Sequence, residues 1–189
     1  MIIGVTGSIA AGKETLTGFL REKGFIYFET SALLKEMLTK KGLELTRENM
    51  QNLGDDLRKK HGIGALMELL LGKTEKGKNY IFDSLRNPGE ADFLRNEIGD
   101  FFLIAVDAPR EVRFKRIMQR GKPSDPKTYE DFLRVDERDL CDKDNPLGQQ
   151  VKKCIEIADF KIINDTNLES SMKQVEEIYK QLIEPKNAG

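Results

Sequence analysis

The feature that most constrains this chain is a glycine-rich turn that follows a short apolar run near the N-terminus. Residues 2–5 read IIGV and residues 7–13 read GSIAAGK, so that Gly7 and Gly12 lie five positions apart and Lys13 comes next. A β-branched apolar run that stops at a glycine turn is typical of a buried parallel strand. The segment KETLTGFLREKG follows with apolar residues at helical spacing, and this predicts a helix. The chain is therefore predicted to begin with strand, turn and helix.

Short apolar runs continue to alternate with helical patterns along the chain. Further strands are predicted at 25–28, 80–82, 101–106 and 160–163, each separated from the next by helical segments. Ser31 is predicted to cap the helix after the second strand, and Asn87 to cap a helix that begins with Pro88. Such alternation predicts a three-layer α/β/α fold with a five-stranded parallel sheet. The length of 189 residues favours a single domain.

Composition excludes several classes of protein. The formal net charge of −1 argues against a dedicated nucleic-acid or membrane-surface protein, and the N-terminus lacks the pattern of a signal peptide or membrane span. Two cysteines are too few for a disulfide framework, and the single histidine, His61, cannot complete a metal site with them. We expect a cytoplasmic protein with reduced thiols, whose partner is a small molecule rather than nucleic acid or a membrane.

The glycine turn has the chemistry of a phosphate site. Backbone N–H groups of such a turn surround an anion, the N-terminus of the following helix adds about half a positive charge, and Lys13 reaches the β and γ phosphates. The residues predicted to surround the donor phosphates are Gly7, Ser8, Ile9, Ala10, Ala11, Gly12, Lys13, Glu14 and Thr15. Asp83, at the end of the third strand, is predicted to orient Mg²⁺ beside this loop.

The loop resembles those of the nucleoside monophosphate kinases. Glu14 stands where most phosphate loops have Ser or Thr, but adenylate and cytidylate kinases read Gly-Lys-Gly-Thr, and GKET is similar, with Thr15 carrying the hydroxyl. The resemblance implies ATP and Mg²⁺ as cofactors, with Thr15 contacting phosphate or metal. Glu14 leaves open how the metal is held.

The same resemblance implies an acceptor site and a lid. ETSALLK (29–35) loosely resembles an adenylate kinase acceptor motif, and FDSLR (82–86) resembles its Asp-Gly-Phe-Pro-Arg motif with one residue fewer. The implied acceptor-binding residues are Thr30, Lys35, Arg58 and Arg86. The residues implied to act in catalysis are Lys13, Arg86, Arg116, Arg120 and Arg138. The last three arginines would stabilise the transferring phosphoryl group, with Arg113 and Arg134 as second choices.

These expectations divide the chain into parts and leave three functions open. The core is predicted at 1–30, 79–120 and 146–185, the acceptor-binding helices at 31–78 and the lid at 121–145. The first interpretation is transfer of the γ-phosphoryl group of ATP to a nucleoside or deoxynucleoside monophosphate, because the chain resembles small archaeal adenylate-kinase-like proteins. The second is a dephospho-coenzyme A kinase, a family that IGVTGSIAAGK and ADFKIIND also resemble, in which a carboxylate, Glu29 or Asp83, would serve as general base. The third is a nucleotide-sensing module without efficient transfer, which the departure at Glu14 suggests.

Overall fold

The computed structural model describes residues 1–121, 125–143, 145–165 and 167–183, apart from the side chains of residues 47 and 48. The strands are β1 (Ile2–Gly7), β2 (Ile26–Glu29), β3 (Tyr80–Asp83), β4 (Phe101–Asp107) and β5 (Phe160–Ile163). The helices are α1 (Lys13–Glu22), α2 (Thr30–Lys40), α3 (Arg47–His61), α4 (Ala65–Leu71), α5 (Pro88–Glu97), α6 (Arg110–Arg120), α7 (Tyr129–Leu140), α8 (Val151–Glu156) and α9 (Leu168–Ile183).

The five strands form one parallel sheet in the order β2-β3-β1-β4-β5. Helices cover both faces, and β1 supplies side chains to each. Ile3 packs in the core shared with α1 and α9, whereas Ile2 packs in the core shared with α4 and α5. The predicted five-stranded parallel α/β fold is confirmed. Because every strand runs the same way, the carboxyl ends of β1, β3 and β4 meet at one edge of the sheet.

One predicted helix cap is wrong. Ser31 does not cap α2, because the helix begins at Thr30 and Glu29 occupies the cap position without a side-chain cap. The Thr30 hydroxyl instead donates to the Asp83 carbonyl, 2.8 Å away, and ties the start of α2 to β3. The Asn87 cap with Pro88 at the first helical position is confirmed, and Glu90 completes a capping box there.

The segments between the strands bear on the predicted division of the chain. Helices α2, α3 and α4 lie between β2 and β3, and α7 lies within the predicted lid. Residues 122–124 and 144 of that lid, and residues 166, 184 and 185 of the predicted core, lie outside the described residues. The division into core, acceptor helices and lid stays a prediction. No described helix has both the length and the apolar character needed to span a membrane.

Candidate functional site

The turn between β1 and α1 needs glycine at two positions. At Gly7, whose φ is +150°, a Cβ would lie 2.0 Å from the Val106 carbonyl oxygen of β4. At Gly12, whose φ is +87°, a Cβ would lie 2.2 Å from the side-chain nitrogen of Asn164. Any other residue would collide with one of these groups, so that the glycines allow β4 and the end of β5 to close around the turn.

Side chains from α6 and from the end of β5 hold the carbonyl groups of this turn. Arg113 donates to the Ile9 carbonyl at 3.4 Å, while Arg116 and Asn164 donate to the Ala11 carbonyl at 3.1 and 2.9 Å. In a trans peptide, a carbonyl and the next N–H point in opposite directions. The N–H groups that follow these two carbonyls therefore point away from α6, to the side of the turn on which an anion can bind.

Arg116 contacts the turn itself, whereas the resemblance implied a contact with the transferring phosphoryl group. Its guanidinium donates to the Ala10 and Ala11 carbonyls and to both oxygens of Asn164, at distances from 2.9 to 3.5 Å. These contacts make Arg116 a positioning residue for the turn. Contact with the transferring phosphoryl group stays a prediction for it.

Lys13 is the first residue of α1 and is half-buried. Its ammonium group makes no hydrogen bond or ion pair with the part of the chain that the structure describes. Burial lowers the pKa of Lys13, and the negative charge of Asp83 opposes that shift. A phosphate at the turn would supply the missing counter-charge. Glu14, the next residue, is exposed, whereas Thr15 is half-buried.

Asp83 lies at the end of β3, where it pairs in register with Val5 of β1 and Glu29 of β2. Its side chain is buried, and Oδ2 accepts a hydrogen bond of 2.7 Å from the Tyr27 hydroxyl. Burial, and then the hydrogen bond to Asp83, raise the pKa of Tyr27, so the phenol remains a donor. Oδ1 of Asp83 is buried without any hydrogen bond among the described residues.

An orphaned carboxylate oxygen beside a phosphate turn fits Mg²⁺. The described residues contain no cluster of three or more His, Cys, Asp or Glu side chains that could hold a metal ion. Mg²⁺ is usually held by one or two carboxylates together with substrate phosphates and waters, so a full protein cage is not needed. Asp83 and the Thr15 hydroxyl are the residues that would hold it.

A cavity of about 410 Å³ opens next to Asp83 and reaches across to α2, α3 and α7. It brings together five of the residues expected to bind the acceptor or to close over it, namely Thr30, Lys35, Arg58, Arg86 and Arg138. Leu34, Leu45 and Met50 give it an apolar side, and Gln51 and Asp55 lie one helical turn apart on α3. The cavity therefore offers both an apolar surface and several cationic groups.

The cations of the cavity differ in how firmly they are bound. Arg58 is 7% exposed and donates twice to Glu90, which is fully buried, and once to Asp55. Arg86 reaches Asp139 only at 3.5 Å, and Arg138 approaches Asp142 only at 4.0 Å. Arg86 and Arg138 are thus the more available for an anionic ligand, and Arg58 has a clear structural partner. Acceptor binding by Arg58 stays a prediction.

The other arginines near the predicted lid form ion pairs. Arg120 donates to both carboxylate oxygens of Asp125 at 2.7 and 2.8 Å. Arg113 is buried and pairs with Asp136 of α7, which thereby ties α7 to the helix that holds the turn. Arg134 is largely exposed and pairs with Asp131 on its own helix. The structure thus places Arg138, rather than Arg120 or Arg134, at the cavity.

Sequence reasoning missed three residues of the site. Tyr27 lies in a predicted apolar strand, and its position in that run gives no indication of a functional role. Asn164 and Asp107 each lie at or directly after the end of a strand, and Asp107 accepts a 2.7 Å hydrogen bond from the Ser8 hydroxyl. The signal that identified Asp83, a polar residue where a parallel strand ends, would have found both of them.

Comparisons with known proteins agree with this architecture. Residues 3–135 match the AAA domain. The chain is 32% identical to a UPF0200 protein of Thermococcus gammatolerans, covering all of this chain and 99% of that protein, and 31% identical to one of Sulfurisphaera tokodaii, covering 96% and 97%.

Solved structures give the same picture of the fold. TT1252 from Thermus thermophilus superposes with a TM-score of 0.59 at 23% identity, over 96% of this chain and 97% of that one. Shikimate kinase from Acinetobacter baumannii, in complex with shikimate, superposes with a TM-score of 0.57 at 17% identity, over 99% and 95%. The fold is that of P-loop kinases, and the phosphate-loop part of the expected resemblance is confirmed.

Proposed function

We propose that this chain, which belongs to the AAA domain family and to the UPF0200 family, transfers the γ-phosphoryl group of ATP to a nucleoside or deoxynucleoside monophosphate. The observation that carries the proposal is that the two sites adjoin at consecutive residues, Asp83 and Ser84. Asp83 lies beside the phosphate turn and the lysine at its end, and the next residue, Ser84, lines the cationic cavity. A phosphoryl group held on the turn therefore faces whatever occupies the cavity.

The donor side acts through positioning and charge. Amides of the turn bind the phosphates. Lys13 stabilises the charge on the oxygens of the γ-phosphoryl group while that group is transferred. Mg²⁺, when bound, neutralises charge on the β and γ oxygens. Tyr27 holds the Asp83 side chain through Oδ2 and leaves the buried Oδ1 without a hydrogen-bond partner among the described residues.

The acceptor side supplies positive charge and an apolar surface. Arg86, Arg138 and Lys35 line the cavity and would bind the acceptor phosphate, while Leu34, Leu45 and Met50 would offer a surface for a flat base. A monophosphate oxygen is already anionic, so transfer to it needs no strong general base. The single histidine, His61, does not line the cavity. The finer expectation of a nucleoside monophosphate kinase rests on these features.

One observation supports the dephospho-coenzyme A alternative. Glu29 is half-buried and lies opposite Asp83 in the β2–β3 register, at the edge of the sheet where the cavity begins. A carboxylate there could take the proton of a hydroxyl acceptor, which a phosphate acceptor would not require.

A substrate panel tests the proposal. The protein is incubated with ATP and Mg²⁺ together with each ribonucleoside and deoxyribonucleoside monophosphate, or with dephospho-coenzyme A, and the release of ADP is measured. We expect turnover with at least one monophosphate, lowered by roughly 10²–10³-fold in Lys13→Ala and retained by the control Lys153→Ala, an exposed lysine on α8.

Three other results would contradict the proposal. Turnover with dephospho-coenzyme A alone favours the second function and makes Glu29→Gln the next variant. Tight ATP binding without ADP release with any acceptor favours a nucleotide-sensing module. If Lys13→Ala left the activity unchanged, the turn would have no part in the reaction.

A further inference from the structure

Ser84 has a backbone conformation that side chains disfavour. Its φ is +71°, and Ala10 in the phosphate turn is the only other described non-glycine residue with a positive φ. Glycine adopts such angles without steric cost, whereas a Cβ crowds the neighbouring carbonyl. Residues held in such conformations concentrate at functional sites, where the surrounding structure enforces them.

The residues on either side of Ser84 enforce this conformation. The Thr30 hydroxyl donates to the Asp83 carbonyl at 2.8 Å, and the Thr6 hydroxyl donates to the Leu85 carbonyl at 2.8 Å. The Leu85 N–H donates to a carbonyl of β1 at 3.0 Å. These bonds fix the chain before and after residue 84 and make no use of its side chain. Glycine would satisfy the same geometry with less strain.

The Ser84 side chain lies where an acceptor would bind. Ser84 is half-buried and lines the 410 Å³ cavity together with Thr30, Lys35 and Arg86. Within the described ranges its hydroxyl makes no hydrogen bond to another residue. The hydroxyl at this strained position thus makes no contact that the fold needs, lies beside the cavity cations and is one residue from Asp83, whose charge acts on Lys13.

We propose that the Ser84 hydroxyl donates a hydrogen bond to the phosphate group of the acceptor, next to Arg86, and so selects phosphorylated acceptors. This inference rests on the proposed function and names the residue that aligns the acceptor phosphate with the donor. The strain at Ser84 is then retained because glycine would lack the hydroxyl.

Two variants separate the hydroxyl from the strain. Ser84→Ala removes the hydroxyl and keeps the Cβ, while Ser84→Gly removes both, and Ser170→Ala on α9 serves as a control outside the cavity. Calorimetric titration with AMP, CMP, GMP, UMP, adenosine and inorganic phosphate measures affinity, and thermal unfolding measures stability.

The expected result has two parts. Affinity for the monophosphate that binds tightest falls about tenfold in both Ser84 variants, the cost of one hydrogen bond to a charged group, and adenosine binding is unchanged. The unfolding temperature of Ser84→Gly equals or exceeds that of the unmodified protein. In turnover, the KM for the acceptor rises and the KM for ATP does not.

Other outcomes overturn the inference, and they are distinguishable from failure of the proposed function. Monophosphate affinity equal to that of the unmodified protein in Ser84→Ala shows that the hydroxyl has no such role. A protein that binds a monophosphate in a Ser84-dependent way but transfers nothing disproves the function and keeps the inference. A protein that binds neither a monophosphate nor inorganic phosphate refutes both.

Discussion

The two halves of the site are built in different ways. The donor half is held through its backbone: carbonyls of the turn accept from Arg113, Arg116 and Asn164, and two glycines admit the neighbouring strands. The acceptor half consists of side chains from α2, α3, α7 and the segment after β3, and two of its arginines, Arg86 and Arg138, reach carboxylates only at 3.5 and 4.0 Å. The groups that would bind phosphate on the donor side are backbone amides of one short motif, whereas those of the acceptor side are side chains whose position depends on how separate helices pack.

The largest expected effect is a difference in stability between variants of two arginines that line the same cavity. Arg58→Ala leaves the fully buried Glu90 without its charged partner and should lower the free energy of unfolding by about 3–5 kcal/mol. Arg86→Ala loses 3.5 Å contacts with the buried Asp139 and with Gln149 and should cost less, about 1–2 kcal/mol. Urea unfolding measures both. Equal losses of unfolding free energy in the two variants would show that Arg58 has no greater structural role than Arg86.

A second comparison sets the lysine of the turn against the lysine of the cavity. Lys13→Ala should lower kcat/KM by roughly 10²–10³-fold, since it removes a preorganised charge from the moving phosphoryl group. Lys35→Ala, at an exposed position on α2, should raise the KM for the acceptor and leave kcat nearly unchanged. Steady-state kinetics on both substrates tests this. If Lys35→Ala mainly reduced kcat, Lys35 would act in the transfer step itself, and its role would not be limited to binding the acceptor.

Arg116 tests whether the turn depends on its backbone contacts. Arg116→Lys keeps the charge but cannot reproduce the hydrogen bonds to the turn and to Asn164 together. We expect the KM for ATP to rise about tenfold, the cost of one or two such bonds, with the KM for the acceptor unchanged. Lys115→Ala, at an exposed site on the same helix, is the matched control. A fall in kcat with an unchanged KM for ATP would instead support the predicted transition-state role.

The smallest expected effect concerns the tyrosine behind Asp83. Tyr27→Phe removes only the hydroxyl that holds Oδ2, so Asp83 can rotate. Affinity for Mn²⁺ in the presence of ADP, measured by electron paramagnetic resonance, should fall about two- to tenfold, as loss of one hydrogen bond implies. Tyr179→Phe on α9 provides the control, because its ring contacts Phe19 away from the site. Unchanged Mn²⁺ affinity would show that Tyr27 does not orient the carboxylate.

Local sequence patterns indicate the phosphate turn and Asp83, but not the side chains that support them or the packing of the acceptor half, for a physical reason. Strand, glycine turn, lysine and the carboxylate of Asp83 are set by local spacing and by the rule that parallel strands end at one edge. The pairing of Arg58 with Glu90 joins residues 32 positions apart, on α3 and α5, and no local pattern contains it. The same limit applies to Tyr27, whose hydroxyl reaches Asp83 across 56 positions. The predicted Ser31 cap was wrong because Thr30 already belongs to the helix and bonds to β3.

The proposed function requires the phosphate turn and the cavity to be the two ends of one reaction path. A crystal structure with two adenosines joined by a pentaphosphate, in the presence of Mg²⁺, tests it most directly. We predict that the phosphate chain lies on residues 7–15 and passes Asp83 and Ser84, with the second nucleoside in the 410 Å³ cavity beside Arg86. Phosphates bound away from the turn, or a cavity that stays empty while the compound binds elsewhere, would contradict the account.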